Sequence, residues 1–209
     1  MTAIMLRAVG WPAICAVTAM AAAVGACGVI FLTSAGPQLL TIAFALLAAA
    51  AAFALDEPAS SVVDVTPTGP GARTAVRSLA LLVPLCAGLG LVLACALRAP
   101  ALSWTAIGLA LAGNVLLGFA IACVARRRVG EPGAWASSAA AFVLIAPPLV
   151  PSLAGRVHTF PTTAQDPQGL SSNAWWALVG CTCIVAIAVS VADRRLPWRP
   201  RSSFGRNRA

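Results

Sequence analysis

Few side chains in this 209-residue chain can do chemistry: six acids, one histidine, seven cysteines and fourteen basic residues, all of them arginine. The cysteines, Cys15, Cys27, Cys86, Cys95, Cys123, Cys181 and Cys183, all fall inside apolar blocks. Disulfide frameworks and zinc sites need cysteines on polar, closely spaced loops. Cys181 and Cys183 form a C-x-C pair, and positions i and i+2 of a helix do not share a face. These thiols therefore read as small hydrophobes. Asp56 and Glu57 are adjacent, so on a helix they diverge rather than pair as acid and base. His158 is the lone histidine, and Asp166 is the acid in its loop. Nothing here assembles a nucleophile, a base or a metal cluster. With no lysine, the chain also lacks the phosphate-binding G-x-x-x-x-G-K-[ST] loop. The expectation is a chain that is not an enzyme, with no catalytic residue, cofactor or metal of its own.

The surroundings of those residues explain their scarcity. Hydrophobic residues make up 60% of the chain and charged residues 10%, with a mean hydropathy of +0.90. A soluble domain carries about 25% charged residues. Six apolar blocks, at about 9–33, 37–55, 79–97, 101–125, 134–153 and 174–192, contain no acid, arginine or histidine. A membrane-spanning helix needs about 20 mostly apolar residues. The pattern predicts an all-α, polytopic membrane protein with six transmembrane helices in one domain over 1–193, followed by an Arg-rich tail at 194–209. Val24-Gly25-Ala26-Cys27 loosely resembles a lipoprotein cleavage site, but Gly-Val-Ile-Phe-Leu follows, where a cleaved protein would start hydrophilic. The first block is expected to stay as a span.

Arginine placement gives the orientation. Arg7, Arg73, Arg77, Arg126, Arg127, Arg128, Arg194, Arg195, Arg199, Arg201, Arg206 and Arg208 fall in one alternating set of loops, and only Arg98 and Arg156 in the other. Cytoplasmic loops carry the excess of basic residues, so both termini are expected in the cytoplasm of a cell-membrane protein. The same placement suits anionic lipid headgroups. No aromatic and basic platform accompanies it, so nucleic acid is not an expected partner. Tryptophans prefer the headgroup level. Trp11, Trp135 and Trp198 fall at inner edges of this map, and Trp104, Trp175 and Trp176 at outer edges.

Within the spans, Ala110, Asn114, Gly118 and Ala122 recur at i+4 and share a face. Small residues admit a close helix neighbour, and a buried Asn can hydrogen-bond across the contact. A substrate contact at Asn114 is the alternative. Pro147, Pro148 and Pro151 each remove an N–H, so the fifth span kinks, breaks or ends there. Broken helices can line a pathway. No ionisable group lies in any span, which removes the usual proton- or sodium-coupling partner. Transport against a gradient would then need energy from another protein. The loop at 56–77, which mixes three acids with Arg73 and Arg77, is the best docking surface for one. Its acids and arginines could equally just end helices and set topology.

Leu55-Asp56-Glu57-Pro58-Ala59, then Pro67 and Pro70, then Arg73 and Arg77 before the next span, resembles small permease subunits of ABC-type transporters in high-GC actinobacteria. Six helices with a cytoplasmic loop after the second and a longer external stretch before the last are similar to the ABC-2 exporter plan. The resemblance implies a separate cytoplasmic ABC ATPase, a second permease subunit of the same or a related kind, and ATPase docking through Asp56, Glu57, Pro58, Arg73 and Arg77. Reporter fusions should place the loop at 126–131 and the C-terminal tail inside and the segment around His158 outside; an external tail overturns the orientation.

Overall fold

The computed structural model describes residues 9–31, 36–56, 70–99, 103–126, 132–149 and 170–192. All the elements among them are helical. Helix α1 is Trp11–Ile30, with a proline in its first turn where no N–H is needed. Helix α2 is Gly36–Ala52 and closes in a 3-10 turn at Phe53–Leu55. Helix α3, Pro70–Ser78, runs through a 3-10 turn at Leu79–Leu81 into α4, Leu82–Arg98. Helix α5 is Trp104–Ala125, and its N-cap Ser103 accepts the Ala106 amide at 3.4 Å. Helices α6, Gly133–Leu149, and α7, Leu170–Ala192, complete the set.

Five helical stretches are long and apolar enough to cross a membrane: Trp11–Ile30, Gly36–Leu55, Thr74–Arg98, Trp104–Ala125 and Asn173–Ser190. Helix α6, with 17 residues and no 3-10 turn or helix extending it, is not among them. Pro147 and Pro148 lie in its last turn, where each removes the amide that would bond one turn back and so helps to end the helix. The third span starts earlier than its apolar block does. Pro70 opens a helix that the prolines upstream cannot join, and the helix continues without a stop into the hydrocarbon-length rod.

Helix α2 sits at the centre, packed by α1, α4, α5 and α6, while α5 is the second inner helix and also carries α7. Apolar helices in lipid gain little from hydrophobicity, so close packing must hold them. Helix α2 meets this with alanine: Ala43, Ala45, Ala48 and Ala50 are all buried around Leu40, Phe44 and Leu47. Opposite them, Ala110, Asn114, Gly118 and Ala122 of α5 are buried as one face. A Cβ on Gly118 would overlap the Ala48 carbonyl oxygen, so α2 and α5 touch backbone to backbone. Asn114 Nδ2 donates to the Ala110 carbonyl of its own helix at 2.7 Å rather than across the interface. The short-range acceptor one turn back wins over a partner on α2.

Trp176, expected at an outer edge, turns its ring inward. It is 1% exposed and lies against Gly113 of α5, where a Cβ would collide with its ring. Trp104 and Trp135, at 64% and 62% exposed in the first turns of α5 and α6, do face outward. So do Leu89, Leu93 and Leu97 of α4 and Leu178, Val185 and Val189 of α7. That apolar coat suits lipid rather than water.

The helices alternate in direction. Val9, Ile14, Ala54 and Ala80 cluster at one end, and Leu55, Phe119, Ala122, Cys123 and Ala136 cluster beside them, with Ile187 of α7 packed on. The start of α1, the end of α2, the starts of α4 and α6, the end of α5 and the later part of α7 therefore share one end. The described helix ends next to Arg7, Arg126 and the loop at 56–77 lie there. Substituting Gly118 by Val should cost about 1–3 kcal/mol of stability through overpacking, while Gly90→Ala, whose new methyl meets nothing, should be neutral or stabilising by about 0.5–1 kcal/mol; thermal unfolding in detergent reads both.

Candidate functional site

The candidate site is the corner where the loop at 56–77 meets the bundle. Its first element is the end of α2. The Asp56 amide bonds back to the Phe53 carbonyl at 3.1 Å, and Asp56 itself is extended, with φ −66° and ψ 135°. That turn stops the helix and aims the carboxylate sideways. Asp56 Oδ1 accepts the Gly133 amide at 2.5 Å, across 77 residues of sequence. Gly133 is the first residue of α6, and the Pro132 carbonyl takes the first bond of that helix from the Ala136 amide at 2.7 Å. First-turn amides have no partner within their own helix. Asp56 supplies one, and it places a negative charge at the positive end of the helix dipole.

Glycine at 133 is a requirement of this contact. A Cβ there would overlap Asp56 Oδ2 and the Phe53 ring. The apolar block begins at Ala134, so run length alone does not show Gly133 as a partner; Pro132-Gly133 before an apolar run is the available signal.

Arg77 closes the corner from the other side. It is 2% exposed, and its Nη1 donates to the Leu55 carbonyl at 3.4 Å. A cation at the C-terminal end of α2 meets the negative end of that helix dipole. Thr74, one turn earlier on α3, is buried on the same face. Asp56 and Arg77, expected as docking contacts, tie α2, α3 and α6 together at this corner. Charged side chains outside an apolar block normally stay solvated; these two find helix-end partners that outcompete water.

The other expected residues divide as follows. Arg73 lies on α3, near its start. Glu57 and Pro58 lie outside the described residues, as do His158 and Asp166. Asn114 and Gly118 are brought together on the inner face of α5, where they pack helices; Pro147 and Pro148 are far along the chain from them, at the end of α6. Among the described residues no group of three His, Cys, Asp or Glu could hold a metal. What the corner can do is mechanical. It joins the two ends of one loop to the central helix and to the first turn of another.

An all-helical bundle with five helices able to cross a membrane fits a membrane-embedded protein. Comparison with protein-family models, curated proteins and solved structures finds no match.

Asp56→Ala should lower stability by about 0.5–2 kcal/mol, the value of an N-cap. Arg77→Leu should cost about 1–3 kcal/mol by leaving the Leu55 carbonyl without its donor. Detergent unfolding midpoints check both, and two unchanged midpoints would mean that the side chains stand free in water.

Proposed function

We propose that this chain is the transmembrane permease subunit of an ATP-driven ABC-type exporter in the cell membrane, without an ATPase of its own. The reading takes six spans from the apolar blocks, with α6 as the fifth, and a cytoplasmic Arg-rich end from the arginine distribution. The observation that carries the reading is the corner. Both ends of the loop at 56–77 are fastened to inner structure, through Asp56 on Gly133 and Arg77 on Leu55. A partner that pushes this loop would move α2, which packs on four other helices.

In this reading Asp56 and Arg77 hold the loop ends, and Glu57, Pro58 and Arg73 meet the ATPase. A second permease subunit, identical or related, completes the pathway. Nucleotide-driven closure of the ATPases would re-pack the helices as rigid bodies.

A second reading has its own support: a non-transporting assembly subunit of a larger membrane complex. The inner interfaces are packed tightly, with Ala48 on Gly118, Leu111 on Gly88 and Trp176 on Gly113. Such packing suits a scaffold as well as it suits one resting state of a transporter.

Mild-detergent purification of the tagged chain separates the two. The permease reading expects an ATP-hydrolysing partner to come down with it, and Glu57→Lys with Arg73→Glu to weaken that capture by about tenfold or more. If no ATPase appears and the double variant leaves export intact, the assembly reading stands instead.

A further inference from the structure

Between the later turns of α1 and α4 lies a groove of about 340 Å³, lined by Val29, Ile30, Leu91, Ala94 and Leu97 and bounded by Arg98. It sits at the end of the bundle opposite the Asp56 corner, on the side to which the alternating loops assign only Arg98 and Arg156. Arg98 is the last residue of α4 and is exposed. A cation there is favoured by the helix dipole, but that attraction would be satisfied on any side of the helix end. Here the guanidinium borders a hollow whose other lining residues are aliphatic.

The dimensions fit a lipid chain. Leu91 to Arg98 covers about 10 Å of helix axis at about 1.5 Å per residue, roughly a third of a hydrocarbon core about 30 Å thick. The groove therefore runs from the headgroup level into one leaflet. Guanidinium is the side chain best shaped to take two oxygens of a phosphate, and the aliphatic walls match an acyl chain.

We propose that this groove is a binding site for one anionic glycerophospholipid, with its phosphate on Arg98 and an acyl chain along Leu91, Ala94 and Leu97. The site is independent of what drives the complex, and it gives the isolated arginine of this end a specific partner. Charge complementarity selects the lipid over an apolar helix of another subunit, which would leave Arg98 facing hydrocarbon.

The test is native mass spectrometry of the full chain in detergent, titrated with phosphatidylglycerol and separately with phosphatidylcholine. The wild type should retain phosphatidylglycerol preferentially. Arg98→Gln should weaken that retention about tenfold, on the scale of one charge-assisted contact, and Arg98→Lys should keep most of the preference. Ala26→Phe places a ring in the same groove from an exposed position and should displace both lipids. Equal retention of the two lipids by the wild type, or wild-type binding by both Arg98→Gln and Ala26→Phe, overturns the site. So does a wild-type dimer that Ala26→Phe splits into monomers, because the groove would then belong to a second copy.

Discussion

The backbone contact between Gly118 of α5 and Ala48 of α2 is the constraint on which the remaining structure depends. Without a hydrophobic force between helices in lipid, approach distance decides how much dispersion energy an interface gains. Any side chain at 118 would hold the two inner helices apart. With the contact made, α2 and α5 share one register, and the remaining helices arrange around that pair. Gly113 then receives the Trp176 ring and Gly88 receives Leu111, so the same device seats α7 and α4 on α5.

Register in the middle of the bundle also places its end. Phe119 and Ala122, just beyond Gly118, pack with Leu55 and with Ala136 of α6. Asp56 is thereby brought to the Gly133 amide and the Leu55 carbonyl to Arg77. Arg77, a charge that would be costly to bury alone, and the part-buried Asp56 each meet a helix end of opposite polarity. The corner is a consequence of the core, and the loop at 56–77 inherits its anchorage from both.

Much of this could be read from the chain. Apolar run length alone placed the helices to within a few residues, as in the block at 101–125 against Trp104–Ala125. The i+4 recurrence of Ala110, Asn114, Gly118 and Ala122 identified a buried face, because helical periodicity projects directly onto one side. Three things were hidden. Asp56 and Arg77 read equally as docking contacts or as charges that end helices, since their partners are carbonyl and amide groups of distant helix ends, which carry no side-chain signature. Trp175 and Trp176 looked alike, but neighbouring residues differ by about 100° around a helix, and only packing tells which one turns inward. Asn114 bonds within its own helix, and whether such a side chain reaches the next helix depends on an interhelical distance that sequence does not state.

The central claim is that the α2–α5 contact sets the geometry of the Asp56 corner. Amide hydrogen exchange in the wild type and in Gly118→Ala tests it directly. The account predicts faster exchange at Gly133 and Ala136 in the variant, with the first turn of α5 at the opposite end unchanged. Unaltered protection at Gly133 and Ala136, in a variant that has lost stability, would show that the corner forms without the core contact and would contradict it.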